Sequence, residues 1–171
     1  ENTDKYCLEY FKSKTSINPN ILKIKSGEKN KNLETCKEVW YNLTEMDADR
    51  MTLIINLGGG VITDMGGFIA STFKRGLDFI NIPTTLLSMV DASIGSKTGI
   101  NLNLLKNQIG LFSDPQLVII DTNYLKTLND REIKSGYAEI IKHCIISNSF
   151  FDDLIDSSSI NYDEDIIYNS I

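Results

Sequence analysis

A single histidine, His143, three prolines and three cysteines are all that these 171 residues contain of three residue types that often organise small sites and scaffolds. With one histidine, a His-rich metal centre cannot be completed inside the chain. Cys7, Cys36 and Cys144 are widely spaced and form no CxxC pair, which argues against a zinc ribbon or a disulfide framework and fits reduced, buried thiols. Positive charge is also short: 17 basic residues face 23 acidic ones, for a formal charge of −6. That balance argues against a nucleic-acid partner or an anionic membrane surface, while leaving room for a local basic pocket. No apolar run approaches the roughly 20 residues that span a bilayer, and no signal peptide is evident. The expectation is a cytoplasmic protein. Glu1 rather than Met opens the chain and YDEDIIYNSI closes it without a clear terminus signal, as expected for a piece of a longer product.

What is present is an alternation of short apolar runs with helical patterns. ILKIK (21–25), MTLIINL (51–57), DFINIP (78–83) and QLVIID (116–121) have the length and continuity of buried strands. Between the first two, Leu33, Cys36, Val39, Trp40 and Leu43 recur at helical spacing, and VITDMGGFIASTF continues at helical period after the second. Such alternation predicts βαβ units and a Rossmann-like parallel sheet covered on both faces, an α/β class. DASIGSKTGINLNLLKN (91–107) reads as a polar loop too long for a simple connector, and such loops are commonly functional or disordered. From Asn129 onward strand signals stop and DREIKSGYAEIIKHCIISNSFFDDLID reads as successive helices. The expected organisation is an α/β domain over residues 1–129 and the opening of an all-α domain over 130–171.

Most of the candidate chemistry collects where strands feed helices, which is where open α/β sheets bind ligands. In LGGGVITDMGG, Gly58, Gly59 and Gly60 follow a strand and precede a helix, so backbone could approach a pyrophosphate at a helix N-terminus. Thr63 stands where GxGxxG requires its last glycine, and a tight turn without ligand reads equally well. Asp64 is either a carboxylate favouring the helix dipole or an acceptor for a ribose hydroxyl or carboxamide. Thr84 and Thr85, after Pro83, read first as a helix cap and then as ligand contacts. Lys97, Lys106, Asn107 and Arg75 could together hold a phosphate ester, with Asp91 accepting from sugar hydroxyls. Glu139 and His143 stand four apart on a helix, either as a metal pair or as an ordinary polar pair.

Taken together, GGGVITDMGGF, RG (75–76), IPTTLLSMVDASIGSKT (82–98), KNQIGLF (106–112), LKTLNDREIKSGYAEIIKH (125–143) and SGEKNKNLET (26–35) resemble the dehydroquinate synthase family of sugar-phosphate cyclases. The resemblance implies the N-terminal NAD-binding portion, without the strand-rich beginning, of an enzyme about twice this length. It implies an adenine-ribose turn at Ser26, Gly27, Glu28, Lys29, Asn30 and Lys31. A pyrophosphate-to-nicotinamide turn is implied at Gly59, Gly60, Val61, Ile62, Thr63 and Asp64. Further NAD contacts are implied at Thr84, Thr85, Lys97, Lys106, Tyr124, Leu125, Lys126 and Thr127. Asp91, Lys97, Asn107 and Lys142 would surround the substrate's hydroxyls and phosphate, and Arg75 would reach a neighbouring subunit's site, implying a homodimer. Glu139 would be one of three ligands to zinc (or cobalt), the other two being histidines beyond this chain. His143 is not among them, so its pairing with Glu139 should be incidental.

The implied reaction is a phosphate-eliminating carbon–oxygen lyase acting on 3-deoxy-arabino-heptulosonate 7-phosphate, with NAD used transiently. Ala92 and Ser96 depart from the family pattern V-D-S-S-[VI]-G-G-K-T, Thr63 from G-G-G-V-I-G-D, and Leu105 replaces the glycine before K-N. Ser96 and Leu105 question the loop's backbone, where glycine could be needed for positive φ. Other readings are a sibling cyclase of the 2-deoxy-scyllo-inosose synthase type, a metal-dependent polyol dehydrogenase, or a non-catalytic nucleotide-binding fragment. The chain alone is expected to be inactive and to bind NAD weakly.

Overall fold

A computed structural model describes residues 2–147 and 164–171, so the helices expected over 148–156 lie outside the described residues. Two short helices, α1 (Asn2–Tyr6) and α2 (Leu8–Lys14), precede α3 (Leu33–Glu45), β1 (Ile54–Gly58), α4 (Gly60–Thr72) and β2 (Phe79–Pro83). There follow β3 (Lys97–Leu102), β4 (Leu105–Phe112), β5 (Leu117–Val118), α5 (Asp130–Ser147) and α6 (Glu164–Asn169). Strands β1, β2 and β5 pair in parallel, in that order, with Ile54 opposite Phe79 and Gly58 opposite Pro83. Ile54 and Met65 contribute to one core with Cys36, Leu43, Phe68, Ile69 and Ile100. On the other face, Ile55, Leu57 and Ile80 pack against Ile82, Leu86, Met89, Leu125, Ile133 and Ile140. The two-faced burial explains the unbroken apolar strands. All three cysteines are buried and free, as their spacing predicts.

The second glycine pair of LGGGVITDMGG has a packing role. A Cβ on Gly66 would lie 2.0 Å from Asn56 Oδ1, and one on Gly67 would lie 2.5 Å from Thr98 Cγ2. Helix α4 is thus pressed against β1 on one side and β3 on the other, with no room for side chains at either point. Asn56 and Asn81 stand opposite each other in the β1–β2 register, and Asn56 Nδ2 donates to Asn81 Oδ1 at 3.0 Å inside the sheet.

Three expectations about elements are revised. Residues 21–25 form no ladder; Leu22 and Ile24 pack onto the α3–α4 core while alternate residues face outward. Apolar alternation reports a buried face and carries no information on whether a hydrogen-bonding neighbour exists. The fourth run is mainly irregular, with β5 covering only Leu117–Val118. The polar loop expected over 91–107 is instead largely an antiparallel hairpin, β3–β4, whose inner Thr98 and Ile100 are buried. Its abundant Asn and Gly masked the strands, because only one side of the hairpin meets a core.

Beyond residue 129, Ile133, Ile140 and Cys144 of α5 share a core with Leu86, Met89 and Val90, so packing continues across the expected boundary. Gly136 makes this possible: a Cβ there would lie 2.5 Å from Leu87 N and from Leu86 Cβ. Among the described residues no helix is long and apolar enough to cross a membrane.

Candidate nucleotide and metal cleft

A cleft of ≈ 1590 Å³ opens at the C-terminal end of β1. It gathers Ser26, Gly27, Glu28, Lys29, Asn30 and Lys31 from the turn before α3, and Gly59, Gly60, Val61, Ile62 and Asp64 from α4. Thr84, Thr85, Asp91, Lys106, Asn107 and Thr127 complete the candidates on its wall. Gly59 caps α4 without a side-chain hydrogen bond, so the first-turn N–H groups of Gly60 and Val61 face the cleft without an intrahelical acceptor. Such an N-terminus fits a pyrophosphate. Thr85 acts as the expected cap: its Oγ1 accepts from Ser88 N at 3.2 Å while Ser88 Oγ accepts from Thr85 N at 3.2 Å.

Lys31 is buried, with 3% of its surface exposed, and its ammonium donates to Asp64 Oδ2 at 2.5 Å and Asn107 Oδ1 at 2.6 Å. Burial raises the Asp64 pKa above the ordinary carboxyl range; hydrogen bonding and charge from Lys31 oppose that rise without cancelling it. Asn101 was not anticipated from sequence. Its Nδ2 donates to Glu28 Oε1 at 2.9 Å, its Oδ1 accepts from Asn107 N at 2.8 Å, and its own N–H donates to Lys31 O at 2.9 Å. Nothing in INLNLLKN distinguishes this asparagine from its neighbours, and only the hairpin's register reveals it. Asn129 and Glu132 also line the cleft. The capping pattern in NDRE could have drawn attention to them, since Asn129 Oδ1 accepts from Glu132 N at 3.0 Å.

Asp91 lies in a π-helical turn, Ser88–Ala92, a form often found at functional positions and one without a sequence signal. The turn faces α5, where ligand atoms of Asp91, Glu139 and His143 lie within 4.8 Å of one another. Glu139 Oε2 is buried and its contact in the protein is the Lys142 ammonium, as an ion pair; Lys142 Nζ stands 4.0 Å from Asp91 Oδ1. Contact with Glu139, and secondarily the charge of Asp91, raises the Lys142 pKa, so this side chain is a cation at neutral pH. A buried carboxylate beside a second carboxylate and an imidazole, their ligand atoms within 4.8 Å of one another, suits a divalent ion of the zinc type. His143 Nδ1 meets Ser170 O at 2.8 Å, which leaves Nε2 as the ring nitrogen available to such an ion.

The remaining candidates stand apart from the cleft wall. Thr63 is buried, with its hydroxyl donating to Gly60 O at 3.2 Å. Tyr124 and Leu125 belong to the core, and burial pushes the Tyr124 phenol up to about 12. Lys126 Nζ is exposed and donates to Asn123 Oδ1 at 2.7 Å. Lys97 and Arg75 are exposed, Arg75 at φ 75. Ser96 has φ 58, the left-handed conformation that glycine would adopt without strain, whereas Leu105 has no positive φ and sits comfortably in β4.

A parallel βαβ unit with an open helix N-terminus, and a carboxylate–imidazole–ammonium group at its mouth, defines a dinucleotide-type α/β domain that can also hold a metal ion. Residues 21–135 match the family model described as 3-dehydroquinate synthase N-terminal, and the chain belongs to that family. It is 52% identical over 128 residues, 75% of its length, to a 3-dehydroquinate synthase of Parabacteroides distasonis, of which it covers 36%. Among solved structures it resembles 2-epi-5-epi-valiolone synthase from Streptomyces hygroscopicus, bound to NAD+ and Zn2+, at 39% identity and TM-score 0.66, covering 70% of this chain and 34% of that one. It also resembles 2-deoxy-scyllo-inosose synthase, complexed with carbaglucose-6-phosphate, NAD+ and Co2+, at 31% identity and TM-score 0.73, covering 82% and 38%. The chain therefore spans little more than a third of the length of each of these relatives.

Proposed function

We propose that the complete polypeptide is a 3-dehydroquinate synthase, a lyase that converts 3-deoxy-arabino-heptulosonate 7-phosphate to 3-dehydroquinate and inorganic phosphate in the shikimate pathway. What carries the reading is the meeting, in one cleft of a chain of this family, of a nucleotide turn, an open helix N-terminus and the adjoining Asp91–Glu139–Lys142 group. NAD would lie along Ser26–Lys31, Gly59–Asp64 and Thr84–Thr85, with Lys106 and the Tyr124–Thr127 segment beside it. Glu139 would hold the metal, and Asp91 and His143 stand near enough to add to its surroundings. When bound, the nicotinamide supplies a reversible hydride acceptor and the ion supplies Lewis-acid polarisation of a hydroxyl.

The chain's own groups have defined tasks. Asp91 accepts from a sugar hydroxyl. The Lys142 ammonium offsets negative charge gathering beside Glu139. Lys97, Asn107 and Arg75 bind the departing phosphate, Arg75 in the site of a second copy, so the assembled enzyme is a homodimer in the cytoplasm. The 171-residue piece is inactive by itself and holds NAD weakly.

The GSKT sequence at 95–98 supports this substrate over those of sibling cyclases. The test is phosphate release from the heptulosonate phosphate by the complete polypeptide with NAD and zinc, without net NADH. Release confirms the reading. No release, with turnover of another sugar phosphate, assigns a sibling cyclase; net NADH from a polyol assigns a dehydrogenase.

A further inference from the structure

The β3–β4 ladder shifts register between the Ile100–Ile109 and Leu102–Leu105 pairs: Asn101 of β3 alone stands opposite Lys106, Asn107 and Gln108, so the extra residues lie in β4. Bulges free a residue from the ladder and re-aim its side chain, and they are frequent beside active sites. Here Asn101, the single residue facing the bulge, reaches two other parts of the cleft. Its backbone N–H goes to Lys31 O, its Nδ2 to Glu28 Oε1, and its Oδ1 takes the N–H of Asn107. Asn107, at φ 52, then accepts the Lys31 ammonium on Oδ1, closing a ring that begins and ends in the nucleotide turn.

The amide orientations in this ring follow from chemistry. An ammonium only donates, so Asn107 presents oxygen to Lys31 and its NH2 is directed elsewhere. A backbone N–H only donates and a carboxylate accepts, so both contacts of Asn101 demand the same orientation. Among the described residues the Asn107 NH2 has no protein acceptor, and Asn107 lines the cleft.

We propose that Asn101 is a positioning residue: from its place on β3 opposite the β4 bulge it locks the Glu28–Lys31 nucleotide turn to the bulged Lys106–Asn107 segment, and with Lys31 it holds the Asn107 NH2 as a donor to a substrate oxygen. This rests on the reading of the cleft given under Proposed function. It follows that nucleotide and sugar-phosphate binding are coupled through Asn101, although Asn101 need touch neither ligand.

The test uses the complete polypeptide and four measurements: NAD Kd, sugar-phosphate KM at saturating NAD, kcat, and the unfolding midpoint without ligands. Asn101→Leu should raise both NAD Kd and substrate KM about tenfold, with the unliganded midpoint within a few degrees of wild type. Asn101→Asp keeps the acceptor for Asn107 N but sets a carboxylate against Glu28. Adding Glu28→Gln restores a donor–acceptor pair with the roles exchanged, so the double variant should recover substrate KM relative to Asn101→Asp. Unchanged ligand constants in Asn101→Leu, or no recovery in the double variant, would overturn the proposal. If wild type releases no phosphate, the proposed function fails instead, and the effect of Asn101→Leu on NAD Kd decides this inference alone.

Discussion

Replacing Gly136 with alanine tests how α5 brings its polar groups to Asp91. The new Cβ would stand 2.5 Å from Leu87 N and Leu86 Cβ and 2.6 Å from Leu86 Cγ, where ordinary contact begins near 3.4 Å. One obstacle is a backbone nitrogen, which cannot rotate aside, so relief requires α5 to move outward by about 0.9 Å, the shortfall in contact. Overpacking of this kind costs about 1–3 kcal/mol. Alanine's better helix propensity returns about 1 kcal/mol, leaving a net loss of about 0–2 kcal/mol. Glu139 and Lys142 lie one and two turns further along and move with the helix, away from Asp91. A displacement near 1 Å can cost about a hundredfold in turnover. Urea unfolding of the complete polypeptide should show the modest loss of stability, and phosphate release should show the much larger loss of rate. Adding Leu86→Ala should not rescue either, since Leu87 N and the residue-86 Cβ remain. A Gly136→Ala protein that is more stable than wild type and fully active would refute the close-packing account.

Three further outcomes follow from the site and its supports. Lys31→Met strands the Asp64 carboxylate and should cost about 3–5 kcal/mol near neutral pH. Because the folded Asp64 pKa lies above its unfolded value, this deficit should shrink at acid pH and grow as pH rises through the folded value; urea midpoints at several pH values check it, and a pH-independent deficit counts against it. Tyr10 OH donates to Asp121 Oδ2 at 2.7 Å. Burial would raise the Asp121 pKa, but the hydrogen bonds from Tyr10 and Asn123 prevail and depress it. The stability Asp121 contributes is therefore present above its unfolded pKa of about 3.9 and lost as pH falls through the lower folded value. Tyr10→Phe should shift acid unfolding, followed by circular dichroism, to higher pH; an unmoved acid limb would exclude this contact as the cause. Saturating the complete polypeptide, about twice this length, with NAD to a hundred times its Kd should add about 2.7 kcal/mol, raising the unfolding midpoint by roughly 3–4 °C for a chain of that length. A flat midpoint in a calorimetric titration would count against the nucleotide assignment.

The parallel sheet and the glycine turn were legible because burial on two faces leaves a continuous apolar run, and a strand-to-helix turn needs glycine. Residues grouped by the resemblance, such as Glu28, Asp64, Asp91 and Asn107, come to one cleft and its rim. Periodicity missed what depends on pairing partners: Leu22 and Ile24 alternate like a strand but lack a neighbour to bond, while the β3–β4 hairpin hides under a polar composition. It also missed Asn101 and the π turn holding Asp91, because a bulge and an extra residue in a helical turn arise from tertiary register and leave no local pattern. His143 lay outside the anticipated ligand set, and its approach to Asp91 required knowing how α5 crosses the Ser88–Ala92 turn.

The Asn56–Asn81 pair inside the sheet acts as an alignment mark. Sliding β1 by one residue along β2 would set Asn56 opposite Ile80 or Ile82 and strand two buried carboxamides at about 1–3 kcal/mol each. The same slip would move Gly58 off Pro83, so the turn that opens α4 would no longer emerge level with Thr84 and Thr85. A single polar contact thus makes misalignment costly at the place where the strand ends must agree. Fidelity of strand alignment, set two residues below the cleft floor, determines whether the glycine turn that opens α4 and the two threonines after Pro83 meet at the same level of the cleft.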